Sequence, residues 1–395
     1  MSAAHQLATR PDPVARARSI APAIAAAADR IEAGSAIPPD LLDRLHEAAL
    51  FRALLPHSLG GDETRPATYV RMMEVIAGAD ASTAWCIGQN SGCSMASAYM
   101  EPAAARRIWG DDPRAALAWG AGPQGTAKVV PGGYVVTGTW NFASGGRNAT
   151  WIGGHSRVVE PDGSLRRWPS GDLVERSMLF PKAAVTMTEN WNVMGLRGTG
   201  SDTYAVNEVF VPDEHTVIRD NPPDRRETGT LYRFTTTNLY ASGFGAVALG
   251  IARAMLDAFR ALAADKTPQA LSQRLAENTA IQKEAALAEA KLTAARALLL
   301  NTLEETWVDV VVSGALTVEQ RMRIRLAATF ATHQAREVAD FAYHEAGATA
   351  IFAANPFERR FRDINTVTQQ VQARSAHFET VGAHILGLSP SLRFV

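Results

Sequence analysis

Cysteine, surplus charge and long apolar runs are all scarce in this chain, and each scarcity removes a class of protein. Only Cys86 and Cys93 occur in 395 residues, so no disulfide framework holds the fold. They stand seven apart in an apolar, helix-like stretch, which sets them on one face two turns apart. That is about 10 Å, beyond the roughly 7 Å a disulfide spans, so two buried, reduced thiols are expected. Lys and Arg number 39 against 40 Asp and Glu; the cations are scattered, which leaves no footprint for nucleic acid or an anionic membrane. No uninterrupted apolar run reaches the roughly 18 residues of a membrane span. Arg10, Arg16 and Arg18 are not followed by a signal-type apolar core and cleavage site. A cytoplasmic location and a small-molecule partner are expected. The nine histidines, His5, His46, His57, His155, His215, His333, His344, His377 and His384, show no i, i+4 pairing and no Cys-x-x-Cys accompanies them, so no metal is expected.

What is present is enough apolar material for a large core, 47% hydrophobic against 20% charged residues, divided into two or three domains. Residues 14 to 112 read as helices. Asp40 follows Pro38 and Pro39 as an N-cap before the amphipathic run Leu41, Leu45, Ala48. Gly60-Gly61 makes a turn, and helices follow through Met72 to Ile76 and Ala81 to Tyr99. From about 113 the period becomes two. Val129-Val130, Pro131-Gly132-Gly133 and Tyr134 to Thr137 give a hairpin, Pro161-Asp162-Gly163 a second turn, and strands are expected at Met178 to Phe180 and Tyr204 to Val211. After residue 235 the chain is alanine-rich and helical. Ile281, Ala285, Ala288, Leu292, Ala295 and Leu299 form a seam for a neighbouring helix and motivate a homodimer or homotetramer.

Within the sheet region, Gly138-Thr-Trp-Asn-Phe-Ala-Ser-Gly-Gly-Arg-Asn-Ala-Thr-Trp151 places aromatics and one hydroxyl in a small-residue bend. That suits a flat aromatic cofactor needing one hydrogen bond, a flavin-shaped requirement. Gly243-Phe-Gly-Ala-Val-Ala248 matches the loose dinucleotide pattern, yet Val247 to Ala264 is one helical run without the strand a Rossmann fingerprint needs. No nicotinamide site is expected, so reducing equivalents arrive from elsewhere.

Leu59-Gly60-Gly61 with Asp80-Ala-Ser-Thr-Ala-Trp85, Gly195-Leu-Arg-Gly-Thr-Gly-Ser201 leading to Val211-Pro212, Leu249-Gly-Ile-Ala252, and Arg362-Asp363 come in an order that resembles the acyl-CoA dehydrogenase superfamily over essentially the whole chain. The resemblance implies a mainly α fold with a central β domain: an N-terminal helical domain (1–112), a middle β-barrel-like sheet domain (113–225) and a C-terminal four-helix bundle (226–395). The flavin ring would lie between sheet and bundle. Phe142 would pack beside it and Ser144 would stand near its N5, with Trp119 and Ser201 as further cofactor-side residues. Arg197 and Arg274 are candidates for its phosphates, ahead of Arg296 and Arg362, and Trp85, Gln89 and Asn90 for one wall of the substrate pocket.

The dehydrogenases use a buried glutamate as base. Its usual position here holds Val371, the alternative falls near Tyr240, and neither Ile364 to Phe378 nor Thr235 to Leu256 contains an acid. The stretch Gly-x-Trp-x-Phe-x-Ser-Gly followed by Ala-x-Trp instead resembles the oxygenase components of two-component flavin monooxygenases, which receive reduced FAD or FMN from a separate flavin reductase and react it with oxygen. Aromatic hydroxylases of that branch carry two histidines where this chain has Cys93 and Gln370. Gln takes no proton and a buried thiol is a poor base, so substrates that need no deprotonation are favoured: an amine, a thioether, an indole-like ring or an activated carbon. Ser144, Gln370, Tyr240 and Cys93 are the catalytic candidates, with His377 and His384 as possible replacement bases. The alternative reading is an acyl-CoA dehydrogenase-like oxidoreductase or oxidase with a non-standard base; a flavin-binding or oligomeric scaffold without turnover is a third.

Overall fold

The computed structural model describes residues 10–270 and 272–395; His5 lies outside the described residues. Helix α1 (Pro13–Gly34) begins at Asp12, whose carboxylate accepts the amides of Val14 and Ala15, satisfying donors that a helix start leaves open. Helix α2 (Pro39–Glu47) starts earlier than the sequence suggested. Pro38 is its N-cap and Asp40 sits inside the first turn, paired with Arg30. Pro39 takes the first helical position because a missing N–H costs nothing there. Two 3-10 turns, with Gly60 at φ 77°, lead to α3 (Pro66–Ala79) and α4 (Ala81–Ser94); α5 (Pro102–Ala105) runs into a π turn over Arg106–Gly110.

The middle of the chain is a mixed eight-stranded sheet: β1 (Leu117–Trp119), β2 (Gly125–Val130), β3 (Gly133–Trp140), β4 (Trp151–Val159), β5 (Glu175–Pro181), β6 (Thr186–Thr188), β7 (Thr203–Pro212) and β8 (Thr216–Val217). The order is β6-β7-β3-β2-β4-β5-β8, with β1 on β4. The expected hairpin is β2–β3, in register from Val130 opposite Gly133. β1 and β2 pair in parallel with successive halves of β4. Among the described residues no pairing joins β6 to β8, so the sheet is open where a barrel-like closure was expected. Its own core centres on Trp140, Tyr204, Phe180 and Met178. The Trp140 indole stacks on Tyr204 at 5.3 Å and donates to the His155 carbonyl at 2.8 Å. Of the three aromatics in the Gly138 stretch, Trp140 therefore belongs to the sheet interior.

The C-terminal part has three long helices, α6 (Thr236–Asp265), α7 (Thr279–Ser313) and α8 (Val318–Ala346), followed by the short α9 (Glu358–Val367) and α10 (Ala376–Ile385). The expected fourth bundle member is thus represented only by short pieces. α6 carries an 18-residue window of mean hydropathy 1.4, enough by composition to cross a membrane, yet 89% of it is buried inside the protein; it is the axis of the core. Ile281, Ala288, Leu292, Ala295 and Leu299 of α7 are buried within one chain, so this seam is already covered and does not itself call for a second subunit. One continuous apolar core joins N-terminal and C-terminal helices, from Val14 to Val367.

Candidate functional site

Helix α4 starts at Asp80, whose carboxylate accepts the Thr83 amide at 2.6 Å. This cap sets the rotation that carries Trp85, Gln89 and Cys93 at four-residue spacing along one face. Facing them on α6 are Tyr240 and Phe244. Trp85 stacks on Phe244 at 3.9 Å and 14°, and Phe244 on Tyr240 at 5.6 Å and 17°. The Tyr240 ring lies against Gly92, where any Cβ would come within 2.4 Å of its Cε1.

The far end of this aromatic ladder reaches the bend after β3. Trp85 Nε1 donates to Ser144 Oγ at 3.1 Å, Ser144 and Ser201 hydroxyls lie 2.7 Å apart, Ser201 and Thr199 hydroxyls 2.7 Å, and Thr199 donates to the Leu196 carbonyl at 2.8 Å. The polarity of this chain is fixed by proton count. An indole N–H only donates and a hydroxyl carries one proton. Thr199 gives its proton to Leu196, so Ser201 gives its own to Thr199, and Ser144 gives its own to Ser201. Ser144 Oγ is left as an acceptor with one free lone pair.

Beside it, Phe142 adopts φ 67° and is 59% exposed, and the half-buried Trp191 meets it edge-on at 6.0 Å. A left-handed conformation costs a non-glycine residue about 1–2 kcal/mol, and an exposed Phe forgoes burial that stabilises a fold. Both costs fit a surface made to receive a flat ring, with one hydroxyl acceptor behind it. A flavin meets that description. Next to Trp191 an open cleft of about 490 Å³ is lined by Asp29, Glu32, Ser35, Asn192, Arg197 and Arg359.

At the ladder's other end, Tyr240 Oη receives a hydrogen bond from Gln89 Nε2 and donates to the Gln89 carbonyl, both at 3.3 Å; Cys93 Sγ is 3.3 Å from the same oxygen. Burial pushes the Cys93 thiol up to about 12 and the Tyr240 phenol well above its usual value. Neither is a base at neutral pH. Gln370 caps the 3-10 turn Val371–Ala373 and accepts the Gln372 amide, turned back on its own turn. His377 is bonded to the Val371 carbonyl at 2.7 Å and held neutral by burial, while His384 pairs with Glu319 at 2.7 Å; the replacement-base role considered for them finds both engaged elsewhere.

The structure thus brings together Trp85, Gln89, Cys93, Tyr240, Ser144, Ser201 and Phe142. Asn90 instead ties α4 to the sheet, donating to the Leu117 carbonyl at 2.8 Å. Trp119 is buried at the end of β1 against His155, ring centroids 4.9 Å apart. Arg197 bonds the Val193 carbonyl and Glu32, and Arg274 bonds Glu277 and the Ala264 carbonyl. Arg296 forks onto Glu74, and Arg362 onto Glu358 and Glu32. None of these four offers a free guanidinium, because carboxylates one helix turn or one element away already neutralise it. Phe244, Thr199 and Trp191 were not singled out from the sequence. Only Thr199, inside the Gly195–Ser201 stretch, carried a signal that would have found it.

Two family models match: acyl-CoA dehydrogenase, N-terminal domain, over residues 15–107, and acyl-CoA dehydrogenase, C-terminal domain, over 242–374. An indole-3-acetate monooxygenase of Pseudomonas putida is 30% identical over 90% of this chain and 88% of its own length. The chain belongs to the acyl-CoA dehydrogenase superfamily. Within it, the chain falls among the flavin-dependent monooxygenase oxygenase components. The oxygenase subunit HsaA of Rhodococcus jostii is 29% identical over 83% of this chain and 85% of its own. The crystal structure of 3-HSA hydroxylase from Rhodococcus sp. RHA1 superposes with a TM-score of 0.88 at 26% identity, covering 98% of this chain and 99% of that one.

Proposed function

We propose that this monooxygenase takes reduced FAD or FMN from a separate reductase and places one atom of O2 into an electron-rich, indole-like substrate that needs no deprotonation, the other atom leaving as water. Reduced flavin supplies the electrons that activate oxygen. The observation that carries the substrate reading is the ladder end at Gln89, Cys93 and Tyr240, where burial keeps both titratable groups protonated and, among the described residues, no carboxylate is bonded to either. The same absence weighs against acyl-CoA oxidation, which needs an α-proton removed.

Phe142 and Trp191 would hold the ring's edge, and Ser144 Oγ, the acceptor, would take the N5–H that a reduced flavin presents and an oxidised one lacks. Trp119, Arg197 and Arg274 remain cofactor-side residues in this reading only if the flavin draws the arginines from their carboxylates. Trp85, Phe244 and Tyr240 exclude water from the reacting face. The division near residues 112 and 225, a cytoplasmic location and a homodimer or homotetramer belong to the same proposal. The test is anaerobic mixing with reduced FMN or FAD and an indole, followed by heavy-isotope O2. One labelled oxygen in the product is expected. Unlabelled product, or rapid bleaching of oxidised flavin by a saturated acyl-CoA, overturns the reading.

A further inference from the structure

Arg219 stands just past β8, in the connector that leads to α6. It is half-buried, and its guanidinium carbon lies 5.4 Å from the centroid of the Trp119 ring. Two other arginines near this connector have acceptors: Arg176 of β5, the strand paired with β8, on Thr216 Oγ1, and Arg321, whose charge acts on Asp220, on the Val395 carbonyl. Arg219 has none among the described residues. The carboxylate beside it in sequence, Asp220, is engaged at the start of α6, accepting the Thr236 amide at 3.0 Å and hydroxyl at 2.8 Å. A guanidinium with five donors, partly out of water and without an acceptor, is an unfavourable arrangement that a ligand can relieve.

The direction in which it acts is toward the ladder. Trp119, the plate under the guanidinium, ends β1, the strand that α4 holds through Asn90 on the Leu117 carbonyl at 2.8 Å. The positive charge of Arg219 acts on its neighbour Asp220 and, on the ladder side, on Cys93, on Tyr240 and on His155, whose Nδ1 is bonded to Ser177 Oγ at 2.7 Å. One cation therefore faces the end of the site where Gln89, Cys93 and Tyr240 supply only neutral groups.

Resting on the reading of that end as the substrate side, we propose that Arg219 binds the carboxylate of an anionic aromatic substrate, so that the accepted ligands are aromatic carboxylic acids. A single planar fork matches a carboxylate in bidentate fashion, and Trp119 behind it limits the approach to one plane. No second free cation stands with it among the described residues, so the charge suits a monoanion better than a phosphate dianion. The aromatic part of the ligand would lie along the Tyr240–Phe244–Trp85 ladder, toward Ser144.

The test is equilibrium binding to the purified full chain, with indole-3-acetate and its neutral counterpart indole-3-ethanol as probes and Trp fluorescence or calorimetry as readout. Wild type should bind the acid about ten-fold or more tighter, the scale of a charge-assisted pair. Arg219→Gln should close that gap while leaving indole-3-ethanol unchanged, and Arg219→Lys, which keeps charge but not the fork, should retain part of it. A gap that survives in Arg219→Gln overturns the assignment, as does a wild type that binds both probes equally; the latter leaves the aromatic reading standing, whereas binding neither probe sinks both. FMN and riboflavin form a control arm: a loss of FMN binding but not riboflavin binding in Arg219→Gln would make Arg219 a flavin-phosphate residue and overturn the proposal.

Discussion

Ser144 is one member of a run of hydrogen bonds whose protons all point the same way, from Trp85 through Ser201 and Thr199 to the Leu196 carbonyl. The consequence is a preference for a ligand that donates. Replacing Ser201 with Ala removes the acceptor of the Ser144 proton, which then turns outward and suits a ring nitrogen without hydrogen. One hydrogen bond of about 1 kcal/mol is a several-fold effect, so the ratio of reduced to oxidised flavin affinity, measured anaerobically and in air, should fall several-fold in Ser201→Ala. Ser144→Ala should raise hydrogen peroxide release relative to product. An unchanged affinity ratio in Ser201→Ala would show that the run has no fixed polarity. Ser144 and Phe142 were legible in the sequence because their signal is contiguous. The run that orients Ser144 was not, since Ser201 reaches it across 57 positions, and no local pattern encodes the φ of Phe142.

Elements meet closely where α9 lies on the loop before Thr199. Gly195 packs so tightly that a Cβ would come within 2.2 Å of the Arg362 carbonyl, and the Leu196 amide donates to Asp363 Oδ1 at 2.6 Å. Burial, with Asp80 nearby, drives the Asp363 carboxyl up to about 7, against the pull of the Leu196 amide and Arg362. A pKa raised on folding means that the folded state holds the proton more tightly. The stabilising contribution is full below about pH 4 and is lost as pH rises through about 7. Asp363→Asn keeps an acceptor for Leu196 and cannot titrate. Its melting temperature should therefore gain on wild type as pH goes from about 4 to about 7, and parallel profiles would refute the shift. The sequence showed Arg362-Asp363 as a family mark without showing its partner. The glycines of α6 lie in one continuous helix, as expected; their use is close packing, since a Cβ on Gly243 would meet the Tyr69 ring at 3.0 Å and one on Gly250 the Glu74 carbonyl at 2.5 Å.

At the scale of the molecule, the seam from Ile281 to Leu299 was legible as a helix-packing face, but its partner was not, because periodicity states that a face is buried and not by what. The structure gives that partner from the same chain. The argument for an oligomer consequently moves to the other end of α7, where Val308, Val311 and Val312 are 61%, 56% and 85% exposed. Three β-branched apolar residues at the surface of two successive turns lose nothing by meeting another apolar face. In a pure preparation a second copy of the chain is the available one, and a closed symmetric assembly lets the same patch cover itself. Light scattering at micromolar concentration should then give a mass of two or four chains of 42.4 kDa, and Val311→Asp with Val312→Asp should lower it by placing like charges across the contact. The helix needs neither residue for its own packing, so the double variant should keep its helical circular dichroism. A wild type that stays monomeric removes the assembly from the proposal, and a double variant that assembles unchanged places the contact on another surface.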